Sequence, residues 1–344
     1  MAEKFHIGLD IGANAIKAVL LSATKTGFVV EKFRNNTFDS VVTENGSIND
    51  YGELVNRIFE TVDDSFPTNE VAIALKGPSV LVRKMLVNND SLGDLGEFRW
   101  IANQYACVEP EEMSIDFEAL PSQDLYNHTS IVMTAAQKDV VTDFVSVVES
   151  AKLVPYAIEA EAMSIVRLFR ALKKENSIET QMILHVGHVG SFVILLRNGF
   201  FEYCREVSRG GKYFTDLIKH DLEVDEAEAE KIKINPEEYS SPDKVHETLD
   251  RIFSIEFIQE VDYVLKFYLL RGGSLPNHVY LSGGACQTYG LEKSIREKYG
   301  VPVEFLNPWD FIQLPDSVGK INPKEKYSYS VVLGLALHLS LIHI

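Results

Sequence analysis

An aspartate and a lysine stand either side of a turn of small residues near the start of the chain: Asp10, then Gly12-Ala13-Asn14, then Lys17, within FHIGLDIGANAIK. A carboxylate in such a place can hold a hydrated divalent cation, and an ammonium can meet a phosphate oxygen. Gly12, Ala13 and Asn14 leave backbone N–H groups uncovered, so an anionic group can approach closely. The same residues also suit an ordinary β-hairpin, and alone they do not separate the two readings. A second glycine turn follows far along the chain, His185-Val186-Gly187-His188-Val189-Gly190. A third, Ser282-Gly283-Gly284-Ala285, lies between an apolar run and a helical pattern, where backbone can approach a planar base or ribose. His185 and His188 without a third ligand read as structural or exposed residues and not as a transition-metal site.

These residues need elements to position them. Phe5, Ile7 and Leu9 predict a strand into the first turn, and Ile16 to Leu21 a strand out of it. Gly27 to Phe33 is a third strand. Leu54, Val55, Ile58, Phe59 and Val62 recur at helical spacing, and Glu70 to Leu75 is a strand stopped at Gly77-Pro78. Met182 to His185, Ser191 to Leu196 and Phe200 to Val207 repeat the opening order of strand, glycine turn, strand, reversal, strand. Two such units imply two similar α/β domains facing each other across a cleft. Between them, Val82 to Val87, a helix at Asp94 to Tyr105, strands at Met113 to Leu120 and Ser130 to Ala135, and a helix at Val140 to Val148 form a β-α-β-β-α block. Further helices are expected at Ala157 to Leu172, at Tyr213 to Asp221 after Gly210-Gly211, around Asp225 to Lys233, and from about Val245 to Leu270. The strands His278 to Leu281 and Val301 to Phe305 and a buried terminal helix, Val331 to Ile344, complete the reading.

Composition narrows the function classes. The 344 residues suffice for two domains, and 46% hydrophobic with 24% charged residues suits a soluble globular chain. A formal charge of -17 opposes binding to nucleic acid or to an anionic membrane surface. Cys107, Cys204 and Cys286 have no CxxC spacing, which fits a reducing cytoplasm better than a disulfide framework or a zinc site. No signal peptide or membrane span is read, so direct membrane insertion is not expected.

The order of Asp10-x-Gly12 with Lys17, the turn at Gly187, and Leu281-Ser282-Gly283-Gly284-Ala285 resembles the actin-like ATPase superfamily. Within it the chain resembles the PilM family of type IV pilus assembly, through GLDIGANAIKAVLL, VAIALKGPSV, IEAEAMSIVRL, REVSRGG, AEAEKIK, VYLSGGACQTYGLEKSI and VVLGLALHL. The implied fold is α/β, with duplicated actin-like (ribonuclease H-like) domains flanking a nucleotide cleft. The implied domains are 1–83 with 154–180 and 324–344, an inserted subdomain at 84–153, and a second domain at 181–323. The relatives FtsA, with its terminal membrane-targeting helix, and GspL, with its membrane span, match the end of this chain less well.

The resemblance implies ATP with Mg2+ as cofactor. Asp10 would position the hydrated metal, Gly12, Ala13 and Asn14 would cradle the β- and γ-phosphates, and Lys17 would neutralise them. Gly187, Gly210 and Gly211 would approach from the second domain, Glu230 and Lys233 would reach ribose and adenine, and Gly283, Gly284 and Ala285 would form the adenosine floor. For Glu230 and Lys233 a solvated helix face is the competing reading. Glu159 and Glu161 fall where such enzymes orient an attacking water, although helix capping explains them equally. His185 stands where the superfamily carries an aspartate, which implies weak or absent hydrolysis. The implied role is a cytoplasmic ATP-binding scaffold, peripheral to the inner membrane through its partner. That partner is the N-terminal cytoplasmic peptide of a PilN-like protein, with other inner-membrane pilus assembly proteins and self-association also open. The competing functions are an FtsA-like filament-forming membrane adaptor and an actin-like sugar kinase.

Overall fold

Strand β1 (Phe5–Ile11) turns back as β2 (Ala15–Thr24), which turns again into β3 (Gly27–Thr37). A two-stranded ribbon, β4 (Thr43–Glu44) and β5 (Ser47–Ile48), leads to helix α1 (Tyr51–Thr61), whose N-terminus Asp50 caps by accepting from the Glu53 N–H. Strand β6 (Glu70–Leu75) then runs parallel to β1. The structure is a computed structural model and describes residues 5–338 apart from 26, 39–40, 45, 92–95, 97, 99, 101–109, 122–126 and 174–178.

The inserted block is a three-stranded antiparallel sheet of β7 (Val80–Asn88), β8 (Met113–Ala119) and β9 (His128–Gln137), in the order β7-β9-β8, followed by α2 (Lys138–Ser150). The helix expected at 94–105 lies for the most part outside the described residues. Strand β10 (Val154–Ala160) pairs with β6 in parallel and α3 (Glu161–Leu172) follows it. This corrects the expectation of one helix from Ala157. Helical periodicity starts only at Ala162, and the segment before it satisfies its backbone by pairing with a strand far away in sequence, which local pattern cannot report.

The second unit opens with β11 (Thr180–Val186), β12 (Ser191–Arg197) and β13 (Phe200–Val207), then α4 (Gly211–Leu222) and α5 (Glu226–Ile234). The long helix expected from Val245 is two pieces, α6 (Pro242–Arg251) and α7 (Ile258–Leu270), joined through a π-helical stretch, Ile252–Phe257. Strand β14 (His278–Ser282), helix α8 (Leu291–Tyr299) and β15 (Val303–Phe305) complete that unit. The chain then crosses back, because β16 (Ile312–Gln313) pairs with β3 of the first sheet although the sequence reading placed these residues in the second domain. Helix α9 (Ser330–Ala336) covers the end of the expected terminal helix that is described, residues 339–344 lying outside the described set.

The duplication is explicit in the strand order. The first sheet runs β3-β2-β1-β6-β10, with β16 added at its β3 edge, and the second runs β13-β12-β11-β14-β15. In both, three antiparallel strands are followed by two parallel ones. Helices α3 and α9 fill the space between the sheets within one apolar cluster that includes Val19, Ala72, Ile165, Ile183, Ile194 and Leu335. Packing there is close enough to demand glycine: a Cβ on Gly8 would come 2.1 Å from the Val332 carbonyl, and one on Gly334 would come 2.0 Å from that of Ser164. The opposite face of each sheet has its own core, around Leu54 and Ile58 in the first unit and around Phe214 and Phe253 in the second.

Candidate functional site

Strand alternation determines which side chains enter the space between the two units. Ile7, Leu9 and Ile11 point into the outer core of the first sheet, which leaves Gly8 and Asp10 on the inner face. Met182, Leu184 and Val186 do the same in the second sheet and leave His185 facing inward. The turns that follow share a backbone hydrogen bond, Gly12 N–H to Ala15 O at 3.0 Å and Gly187 N–H to Gly190 O at 2.9 Å. Asp10 stands opposite Lys17 across the first turn, and His185 opposite Phe192 across the second.

A cleft of about 270 Å³ lies between these turns. Of the residues singled out from sequence it is lined by Asp10, Gly12, Ala13, Asn14, Lys17, Glu161, His185, Gly187, His188, Gly211, Glu230, Lys233, Gly284 and Ala285. Gly210 and Gly283 sit directly behind it. A Cβ on Gly210 would come 2.7 Å from the carbonyls of both Gly187 and His188. Gly283 has φ of +92° and packs on the Val186 carbonyl, a conformation that suits glycine. Hydrogen bonds from Gly211 N–H to Gly187 O and from Ala285 N–H to Val186 O, at 2.9 and 3.0 Å, lock these loops to the second turn.

The cleft floor is charged. Lys17 lies 3.7 Å from Asp10, and Lys76, at the end of β6, lies 3.0 Å from Glu161. Burial raises the Asp10 carboxyl above its ordinary range, against the pull of Lys17. Burial works against the charge of Lys76, but Glu161 and Asp10 outweigh it and hold the ammonium above its usual value. Glu206 comes in from β13; burial and then Glu161 raise its carboxyl. At the other end, Lys233 Nζ is buried and donates to Glu230 Oε1 at 2.7 Å and Thr215 Oγ1 at 2.9 Å. Burial lowers its pKa. Lys233 is therefore not on a solvated helix face.

Glu159 departs from expectation. It pairs with Arg167, which also donates to the Gly334 carbonyl, and it lies against His338. Its strand, β10, is two strands away from β1, and α3 brings the guanidinium over it, so it does not reach the cleft. Glu161, in the first turn of α3, does. Sequence reasoning missed Lys76 and Glu206. Lys76 carries one signal, a charge directly after a buried parallel strand, where open α/β sheets place their ligand groups. Asn35 and Ser328 were also missed. Both line the cleft, and Asn35 Oδ1 and Ser328 Oγ are buried without a hydrogen-bond partner.

Comparison with known structures places this geometry. The PilM-PilN type IV pilus biogenesis complex superposes with a TM-score of 0.82 at 24% identity, over 96% of this chain and 97% of that one. The ethanolamine utilization protein EutJ from Carboxydothermus hydrogenoformans gives a TM-score of 0.56 at 14% identity, over 98% and 90% of the two chains. MreB5 of Spiroplasma citri bound to AMPPNP gives 0.55 at 12% identity, over 99% and 97%. The fold is thus the actin-like one, and, since the family model of the type IV pilus assembly protein PilM matches residues 8–340, the chain belongs to that family.

Proposed function

We propose that this member of the pilus assembly family is an ATP-binding scaffold that takes ATP with Mg2+ in the cleft and presents a groove to the N-terminal cytoplasmic peptide of a PilN-like inner-membrane protein. The observation that carries the reading is the convergence of two turns of one backbone geometry, one from each unit, on a single cleft. The unpartnered Asn35 Oδ1 and Ser328 Oγ on the cleft wall support it, since buried polar atoms without partners are costly unless a ligand or water completes them. The MreB5 relative, whose structure holds AMPPNP, and the PilM-PilN complex support the two halves of the proposal.

In this reading Lys17 and the N–H groups of Gly12 to Asn14 hold phosphate oxygens, and Asp10 holds the hydrated cation. Gly283, Gly284 and Ala285 with Glu230 and Lys233 bind the nucleoside. The cation supplies charge neutralisation of the phosphates. Glu161 is tied to Lys76 and Glu159 to Arg167, so neither carboxylate is free to work as a strong base. Slow or absent hydrolysis follows. The peptide groove lies where Val80, Ile115, Ala135, Val141 and Ile158 line a recess of about 150 Å³ between the inserted sheet and the first unit. No helix among the described residues is long and apolar enough to cross a membrane, and the partner would supply the anchor.

The test is a pair of titrations on the full chain. Calorimetry with ATP and Mg2+ should show saturable one-site binding, and anisotropy of a labelled PilN-like N-terminal peptide should show binding that Ala135→Arg, in the groove wall, weakens by at least about tenfold. Absence of ATP binding would remove the first half of the proposal, and an unchanged peptide affinity in Ala135→Arg the second.

A further inference from the structure

His185 ends a chain of hydrogen bonds whose direction follows once the Ser330 hydroxyl donates to the Tyr327 carbonyl. Ser330 Oγ lies 3.2 Å from that carbonyl, which also accepts from the Gly283 N–H at 3.1 Å, and in this arrangement the Ser330 proton points there. Ser282 Oγ lies 2.7 Å from Ser330 Oγ, whose own proton is already committed, so Ser282 is the donor of that pair. His185 Nδ1 lies 3.1 Å from Ser282 Oγ, which has spent its proton and can only accept. Nδ1 therefore carries the imidazole proton. Nε2 is left bare, and it faces the cleft at 4.0 Å from Glu161 Oε1, too far for a direct hydrogen bond.

We propose that His185 is a positioning residue whose bare Nε2 accepts a hydrogen bond from a water of the divalent cation that enters with the nucleotide. This rests on the cleft being the ATP–Mg2+ site. Asp10 and Glu161 face His185 as acceptors from the first unit, and Lys17 and Lys76 face it as cations. A water bound to a divalent cation is a strong donor, and Nε2 gives it an acceptor from the second unit without adding another carboxylate to those of Asp10, Glu161 and Glu206. Burial and the neighbouring Lys76 also keep the ring neutral, its pKa brought down to about 3, so this state is kept at physiological pH. The serine chain matters for a further reason. Ser282 ends β14 of the second sheet while Ser330 opens α9, which packs on the first, so the proton position of His185 is set by a contact between the two units.

The chain predicts its own disruption. In Ser330→Ala the Ser282 hydroxyl loses its acceptor and can turn its proton to Nδ1, which moves the imidazole proton to Nε2 and aims a donor at the cation's water shell. Ser282→Ala removes the partner of Nδ1 altogether and frees both tautomers.

The experiment labels histidine nitrogens isotopically in the full chain and records long-range proton–nitrogen correlations at neutral pH, with the His185 signal assigned by its loss in His185→Phe. The expected spectrum has Nδ1 protonated and Nε2 bare. On addition of ATP with Mg2+, but not of ATP with chelator, the Nε2 resonance should move in the direction of hydrogen-bond acceptance. In calorimetry, Ser330→Ala and Ser282→Ala should each weaken ATP–Mg2+ binding by about tenfold, and Ser330→Ala should leave Mg2+-free ATP binding unchanged. A protonated Nε2 in the free protein overturns the proposal. So does an Nε2 signal that stays still while the wild type binds ATP–Mg2+, an outcome that leaves the nucleotide assignment standing. Should the wild type bind no ATP at all, the nucleotide assignment fails and the cation role of His185 fails with it.

Discussion

The two glycine turns have one backbone and opposite chemistry. Each closes with the same N–H to carbonyl bond and each puts two side chains on the inner face of its sheet, at matching registers. In the first turn those side chains are Asp10 and Lys17; in the second they are His185 and Phe192. A duplicated frame has thus kept its geometry while all formal charge at these four positions sits on one side. Of the two turns the first alone brings formal charge to the cleft at these positions, whereas the second brings backbone, a neutral imidazole and a ring; the charged groups of the second unit, Glu206, Glu230 and Lys233, enter from other elements. Such an arrangement suits a ligand whose presence draws the units together more than one whose bond is to be broken, because a catalytic site needs charge stabilisation from all sides of the transferring group.

Asp10→Ala should break this asymmetry most severely, lowering ATP–Mg2+ affinity by about a hundredfold or more in calorimetry, since a charge-assisted contact is lost at a buried site. Wild-type affinity in this variant would mean that the charged turn does not hold the cation. Lys17→Ala comes next, at about tenfold, with the loss persisting in chelator because it acts on phosphate and not on metal. Phe192→Leu, at the matching place in the second turn, should change either affinity by no more than about twofold. An effect as large as that of Lys17→Ala would abolish the distinction between the turns.

His185→Asp puts a carboxylate on the second turn at the place that matches Asp10 on the first. It should steepen the Mg2+ dependence of ATP binding or raise the turnover rate, and no change in either would show that the acid is not what limits turnover. The pH dependence of stability separates the turns too. Folded His185 stays neutral to about pH 3, while in the unfolded chain it takes a proton near 6.5, so the unfolded state binds the extra proton between those values. Stability falls as pH falls across that window, by up to about 1.4 kcal/mol per pH unit for this one group. Asp10 acts oppositely: its raised folded pKa means that the folded state binds its proton first, which adds stability as pH falls. In urea denaturation, His185→Phe should therefore flatten the acid side of the stability curve and Asp10→Asn should steepen it. The smallest expected effect on the site is that of Glu159→Gln, which should lower the melting temperature through Arg167 but leave nucleotide affinity within about twofold.

Much of this was legible in the residues. FHIGLDIGANAIK and MILHVGHVG show two strand–turn–strand units because glycine and β-branched residues act locally, on the backbone that carries them. The same holds for the Gly283 turn. Glu159 and Glu161 show where that legibility ends. Two residues apart in one acidic stretch, they were interchangeable in sequence, yet the parallel pairing of β10 with β6 ends between them and sends one to Arg167 and the other to Lys76.

Sequence by itself determined the duplication, the positions of the glycine turns and the presence of Asp10 and Lys17 on the first of them, since each depends on propensities and spacings within about a dozen residues. Tertiary structure alone decided that Lys76 joins Glu161, that Glu206 reaches the same floor, and that Ser282 and Ser330 join His185 in one hydrogen-bonded chain. Those groups meet only because two sheets and the helices between them bring distant strand ends to one cleft. A polar side chain's role there is set by the partner that burial forces upon it, and no local pattern in the chain names that partner.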